Sequence, residues 1–308
     1  MIFCILNSVR YPVPRTHRLH VQKLAAGFIQ LGYHFKELQS EDALKYLGAQ
    51  DIVYISNHFS TELTHRLFST RLSQQLARLL EQSRCRLLLW NFHTAPGWQE
   101  TTALSERVVH LGECMLESAV RMEGELHTFR VRNNVFELRY SSPTLPSRTF
   151  AARPNVLYDC NFIGAGYQQS WTRHCANRYC ALIRNTPPLV PESLRWNGFR
   201  ESLVNLVFHS PANIRKGIVV ERFAEAISLG GLIAHDHPRI REQYGDRAGF
   251  RYIDSIKNLD LAIEECRQMS HHEQQSARQL NYELWVHERL SYRDQAAQIR
   301  CRFKGEVA

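Results

Sequence analysis

Short apolar runs alternate along the first half of the chain with longer segments whose apolar positions recur every three to four residues. "IFCILN" near the N-terminus and "DIVYISN" (51–57) read as strands. Between them "HRLHVQKLAAGFIQLGY" has helical period and stops at Gly32, and a charged segment follows. "LTHRLFSTRLSQQLARLLEQ" predicts a long amphipathic helix, "CRLLLWNF" another strand, and "HTAPGWQE" a Pro-Gly loop. Strands without polar alternation, separated by helices, predict a parallel sheet covered on both faces.

After "RVVHLGECML" the periodicity weakens, and "YSSPTLPSRTFAARP" (140–154) concentrates Ser, Pro and Thr as a linker or one long loop would. Alternation restarts with "VLYDCNFIGAG", a helical stretch "QQSWTRHCANRYCALI", a Pro-rich loop and the apolar run "ESLVNLVFHS". A helix over 219–230, the strand "LIAHD" and the short strand "DRAGFRYID" come next. "NLDLAIEECRQM" and "HHEQQSARQLNYELWVHERLSYRDQAAQIRCRF" close the chain as helices. The pattern predicts an α/β protein of two Rossmann-like domains facing across a cleft. The expected domains are 1–148 and 149–308, with the last helix free to pack back on the first.

Composition narrows the classes. The 308 residues are 44% hydrophobic, enough to supply a core for each of two domains, which excludes a disordered chain. Lys+Arg minus Asp+Glu is 38 − 30 = +8, a balance that suits nucleotides, nucleic acid or acidic lipid headgroups without choosing among them. No window reaches the roughly 18 apolar residues of a membrane span, so any membrane association is expected to be peripheral. "MIFCILNSVR" has no basic region ahead of its apolar run and no small-residue cleavage site, so no signal peptide is expected and the cytoplasm is the expected compartment. Cys4, Cys85, Cys114, Cys160, Cys175, Cys180, Cys266 and Cys301 are scattered, with no Cys-x-x-Cys pair or zinc spacing, and read as reduced, mostly buried thiols.

The segment "VERFAEAISLGGLIAHDHP" (220–238) concentrates the chemistry. At about 100° per residue, Val219, Val220, Phe223, Ala226, Ile227 and Gly230 share one arc, and Glu221, Arg222, Glu225 and Ser228 occupy the opposite one. The helix is therefore expected to be half buried. Arg222 and Glu225 lie side by side, placed either to serve one ligand or to form a solvated salt bridge. "SPANIRKGIV" precedes the helix, so Arg215, Lys216 and a glycine sit where backbone N–H groups and the helix dipole favour an anion such as a diphosphate. Gly230-Gly231 supplies a C-cap and a tight turn into the next strand.

Phe208 to Asp254, with "HS", "G-x-x-x-E-R-F-x-E-A", "G-G-L-I-A-x-D" and "F-R-Y-I-D-S", resembles the nucleotide-sugar domain of group 1 glycosyltransferases of the two-domain GT-B type. The pattern is most similar to their CgeB-like branch. "DCNFIGAG" (159–166) resembles that branch's strand and Gly-rich loop, and "HERLSYRDQAAQI" its closing helix. The likeness covers the C-terminal half; the N-terminal half shares only the rhythm of strands and helices. It implies that Glu225 accepts hydrogen bonds from ribose hydroxyls, that Arg222 lies near the diphosphate, and that Gly164 and Gly166 let backbone approach the donor. A carboxylate suits a vicinal diol and a guanidinium suits phosphate oxygens, so the chemistry agrees. Glu221, Arg215 and Lys216 complete the implied donor set. The co-substrate would be a UDP- or GDP-sugar, with no separate cofactor.

Two departures from the family bear on mechanism. Retaining members often carry two glutamates separated by seven residues; here the positions eight before Glu221 and Glu225 are Asn213 and Gly217, which leaves the stereochemistry open. No Asp-x-Asp motif stands at a strand end in a donor context, and "HDHP" (235–238) reads as a strand end and turn, so a metal-independent transfer is expected. Inversion would need a general base from the first domain. His93 in "WNFHTAPGW" follows a strand, where phage DNA β-glucosyltransferases, similar in overall scheme, carry an aspartate; it is either that base or a loop histidine bonded to backbone. Arg10, Arg15 and Arg18 either touch an anion or form a solvated face.

The expected function is therefore transfer of a sugar from a nucleotide sugar to a hydroxyl of a glycan, a lipid-linked saccharide or a protein. One alternative is a DNA base glycosyltransferase, for which the basic residues show no evident interleaving with aromatics. The other is a catalytically inactive nucleotide-binding protein of the same fold.

Overall fold

Phe3 and Ile5 of the first strand belong to one apolar cluster and Cys4 and Leu6 to another, and all four are at most 5% exposed in the computed structural model. Ile52 and Tyr54 against Val53 and Ile55 repeat the division in a neighbouring strand. Opposite faces alternate along a strand, so a run apolar at every position has to be covered twice. The described residues are 1–8, 13, 15–57, 77–91, 107–112, 135–137, 156–164, 169–184, 192–216, 219–245, 247, 249–288 and 291–304. The chain forms two units, Met1–Arg139 with Tyr292–Ala308, and Tyr140–Ser291.

The first unit holds β1 (Ile2–Leu6), β2 (His34–Leu38), β3 (Ile52–Asn57), β4 (Arg86–Asn91), β5 (Val108–Gly112) and β6 (Val135–Glu137). They form one sheet in the order β2-β1-β3-β4-β5-β6, with all pairs parallel. Helix α1 (Arg15–Gln30) covers one face with Val21, Leu24 and Phe28, and Phe28 stacks on Phe3 at 4.3 Å between centroids. The last helix of the chain, Tyr292–Lys304, shares that face, with Tyr292, Ala296, Ile299 and Phe303 in the same cluster. Leu44, from the 3₁₀ helix Glu41–Tyr46, packs with Leu79 and Leu80 of the helical residues 77–82 on the other face.

The second unit repeats the plan. β7 (Tyr158–Ile163), β8 (Ala181–Arg184), β9 (Ser202–Val207), β10 (Leu232–His235) and β11 (Phe250–Tyr252) pair in parallel in the order β11-β10-β9-β7-β8. Its helices are α2 (Gln169–Arg178), α3 (Glu192–Glu201), α4 (Pro211–Lys216), α5 (Glu221–Ser228), α6 (Pro238–Tyr244), α7 (Ile256–Gln268) and α8 (His271–His287); the closing helix Tyr292–Lys304 is α9. One face packs Cys160, Phe162, Val204 and Leu206 against Leu259 and Ile263 of α7. The other packs Val207, Ile233 and Phe250 against Phe223 and Ile227 of α5 and Leu284 and Trp285 of α8. Inside this sheet the Asn161 amide N–H donates to Gly198 O at 2.8 Å and to Asn205 Oδ1 at 2.5 Å, while the Asn161 Oδ1 is buried with no hydrogen-bond partner among the described residues.

Both sheets therefore have the doubly wound order in which the first strand lies between the second and third. The chain leaves β7 toward β8 and returns on the far side toward β9, so successive crossovers part between the carboxyl ends of β7 and β9. That switch point is where open α/β sheets leave a crevice for ligands.

Two expectations need correction. "QQSWTRHCANRYCALI" is not one helix: α2 ends at Arg178 and Ala181–Arg184 is the edge strand β8. Residues 192–201, given no element in the sequence reading, form α3. The described cysteines are free thiols, and Cys114 lies outside the described residues. No helix among the described residues is long and apolar enough to cross a membrane.

Candidate functional site

The carboxyl end of β7 runs from Phe162 and Ile163 into Gly164, and that of β9 from Val207 into Phe208 and His209. The Arg222 side chain comes to both ends from the first turn of α5. Its guanidinium lies over the Phe162 ring, 4.5 Å from the centroid, and Nη1 donates to Phe208 O at 3.4 Å. Gly164 allows this approach, since a Cβ there would collide with the guanidinium. A cation on an aromatic face gains roughly 0.5–2 kcal/mol as it is desolvated, so Phe162 helps hold the charge at the switch point. The guanidinium's planar fork of N–H donors matches phosphate oxygens.

Helix α5 ends as its sequence predicts. Gly230 has φ +68°, Gly231 N donates to Ala226 O at 2.8 Å and Gly230 N to Ile227 O at 2.9 Å, a Schellman cap. The expected half burial is wrong. Every residue from Phe223 to Gly230 is buried, and Glu225 is only 1% exposed. Its carboxylate forms an ion pair with Arg195 of α3, the Arg195 Nη2 facing both oxygens. A helical wheel carries no information about α3, so it placed Glu225 on a solvated arc.

Behind Arg222 lies a buried polar cluster at the ends of β9 and β10. The Asp236 carboxylate accepts the His209 backbone N–H at 3.0 Å and stands 2.7 Å from His209 Nδ1. Val220 N donates to His209 Nε2 at 3.2 Å. His237 caps α6, its Nδ1 accepting from Arg239 N at 3.1 Å, and its ring meets that of His209 edge-on at 4.6 Å between centroids. "HDHP" is thus a strand end and a helix cap. Burial, with His209 beside them, holds His235 down to about 3 and His237 to about 4. Burial also pushes His209 below the usual histidine range, with the Arg222 charge acting the same way and Asp236 opposing. All three rings are neutral at physiological pH. No group of three or more His, Cys, Asp or Glu among the described residues is placed to hold a metal ion.

Of the residues expected from sequence, Gly164 and Arg222 meet directly, and Glu225 lies one helical turn further along α5. Arg215 and Lys216 end α4 and Glu221 opens α5, but their side chains lie outside the described residues, as do Gly166 and His93. Arg10 and the Arg15 side chain also fall outside; Arg18 is exposed, 4.0 Å from Glu37. Sequence reasoning missed Arg195. Trp196 and Phe199, three apart after Pro191, were the available signal for its helix. His209 and Asp236 stood inside quoted motifs without a role.

No family model matches the chain, and no curated protein matches it. Solved structures do. A DNA-modifying β-glucosyltransferase, whose structures were determined with and without uridine diphosphoglucose, aligns with a TM-score of 0.52 at 8% identity, covering 99% of this chain and 98% of that one. A glycosyltransferase from Rickettsia africae gives 0.52 at 7% identity with 99% of both chains covered. The spinosyn forosaminyltransferase SpnP gives 0.53 at 12% identity, again over 99% of both. Identities this low establish the fold alone: two Rossmann-like domains, as in GT-B glycosyltransferases.

Proposed function

We propose that this chain is a glycosyltransferase of the CgeB-like kind that moves a sugar from a nucleotide-sugar donor to a hydroxyl acceptor. The observation that carries the reading is Arg222, held by Phe162 and Gly164 at the β7/β9 switch point of the second unit. Likeness along nearly the whole chain to glycosyltransferase structures supports it. In this reading Arg222 meets the diphosphate, and Glu225, buried beside Arg195, accepts a ribose hydroxyl only once that ion pair opens. Gly164 lets backbone approach the donor, and Gly166, Glu221, Arg215 and Lys216 complete the donor set that the sequence resemblance implies.

The acceptor oxygen bonds to the anomeric carbon, the diphosphate leaves with the electron pair of the broken C–O bond, and the hydroxyl proton passes to a base, for which His93 is the candidate. Charge building on the diphosphate is met by Arg222 and the first-turn amides of α5, which makes metal-independent transfer the proposed route. Acceptors of this reading are glycans, lipid-linked saccharides or proteins, met in the cytoplasm or at a membrane surface.

A thermal-shift panel of UDP- and GDP-sugars tests the proposal. One donor should raise the melting temperature, Arg222→Ala should remove that rise, and slow donor hydrolysis should accompany binding. A panel with no stabilising nucleotide sugar refutes the reading, and binding without hydrolysis or transfer identifies an inactive relative. A DNA acceptor is the second reading, favoured by similarity to the DNA-modifying β-glucosyltransferase and by the +8 charge. It requires duplex binding that weakens steeply with salt.

A further inference from the structure

Helix α5 starts without a side-chain cap. Val220 occupies the N-cap position, and its side chain offers no acceptor to the first-turn N–H groups. A relay from the neighbouring strand ends meets this end of the helix instead. The Asp236 carboxylate takes the backbone N–H of His209 and faces its ring Nδ1 at 2.7 Å. An ionised carboxylate can only accept, so Nδ1 carries the proton. Nε2 is then an acceptor, and the Val220 N–H donates to it at 3.2 Å. The ring is 0% exposed, so water does not compete for either nitrogen.

We propose that His209 is a positioning residue for donor binding: fixed in one tautomer by Asp236, it sets the start of α5 and with it the place of Arg222, two residues further on. The inference rests on the glycosyltransferase reading, which supplies the nucleotide as the ligand at Arg222.

The groups that face the imidazole come from three elements. Asp236, beyond β10, favours a second proton and Arg222 of α5 disfavours it; the rings of His237, ahead of α6, and His235, within β10, stand close enough to feel its charge. A second proton would occupy Nε2, remove the acceptor from Val220 and place a cation beside a helix N-terminus, where the dipole is also positive. Donor affinity therefore falls as His209 becomes doubly protonated, and the Val220 amide moves with it.

Two measurements test this. In the nucleotide-free wild type, nitrogen NMR of the His209 ring should show Nδ1 protonated and Nε2 bare, with the Val220 amide resonance shifting as the ring titrates. UDP and GDP affinities are then measured by calorimetry for wild type, His209→Asn and His209→Gln. An Asn amide stands where Nδ1 does and loses the acceptor for Val220, whereas the longer Gln carries an oxygen to the place of Nε2. The Asn variant should bind about tenfold more weakly, the effect of one lost buried hydrogen bond, while Gln stays within about threefold of wild type. Equal losses in the two variants, or a protonated Nε2 in the wild type, overturn the proposal. A wild type that binds neither UDP nor GDP overturns the functional reading and the ligand assigned here, whereas the tautomer measurement decides the relay by itself. That measurement needs no variant to fold.

Discussion

Arg195 and Glu225 form a buried ion pair that ties α3 to α5, with side-chain exposures of 16% and 1%. Attraction between such partners about offsets the cost of desolvating them, so the pair adds little to stability as a whole. Removing one partner is different, because the other loses this opposite charge while still shielded from water, which for a fully buried pair costs about 3–5 kcal/mol. Arg195→Ala and Glu225→Ala should each lower the melting temperature by several degrees. Replacing both residues with methionine should recover most of the loss. Calorimetry of the four proteins checks this, and single variants that melt like wild type would contradict the buried pairing. For nucleotide binding, Glu225→Gln is the cleaner probe, since it keeps the shape of the side chain.

Gly164→Ala is expected to separate binding from folding. The added methyl meets the guanidinium of Arg222, the far end of a flexible side chain, so the fold gives way at small cost. What yields is the position of Arg222 over Phe162. We expect a melting temperature within a degree or two of wild type and UDP affinity at least about tenfold lower, the scale of one charge-assisted contact. In a double-mutant cycle, Gly164→Ala should add nothing to Arg222→Ala, because both act on the same contact. Additive losses would place the effect of Gly164 elsewhere.

The central parallel strands were legible because each is apolar on both faces. "IFCIL", "IVYIS" and "RLLLW" announce double coverage without any tertiary information. β2 escaped because it is an edge strand with His34, Phe35, Lys36 and Glu37 all exposed, which leaves only Leu38 as an apolar signal. β8, at four residues, merged with the helix before it. At the site, Arg222 and Gly164 could be named from motif and spacing, but the partner of Glu225 could not. Arg195 precedes it by 30 residues on a different helix, and only the folded sheet brings the two together. His209 and Asp236 are likewise ordinary residues in sequence; their roles come from β9 and β10 being neighbours.

Acid should destabilise the second unit. His235 and His237 are held at about 3 and about 4 against an ordinary 6.5, and His209 is lowered as well. Below pH 6.5 the unfolded chain takes up protons that the folded chain refuses, so unfolding becomes easier as pH falls. The stabilisation is fully present above that value and is lost progressively as the pH falls from there toward the folded values of His235 and His237. Urea midpoints at pH 7.5 and 5.5 should therefore differ clearly. His235→Phe, which keeps a ring against Phe250 and Tyr252, should flatten the dependence, and an unchanged slope would remove His235 from the account.

The closing helix α9 gives a prediction about connectivity. Ile299 is 0% exposed and packs in the cluster that contains Phe3, Phe28 and Leu88 of the first unit, although the whole second unit precedes it in the chain. Ile299→Ala should remove about 2–5 kcal/mol, combining lost burial with a cavity that the two helices and the sheet close only in part. The loss should fall on the first unit. Amide hydrogen exchange should accelerate at Phe3 and Tyr54 and stay at the wild-type rate at Val204 and Leu206, which lie in the separate cluster of the second sheet. Arg293→Ala, on the exposed side of the same helix, should change neither. Faster exchange in β9 with β1 still protected would show instead that α9 stabilises the second unit.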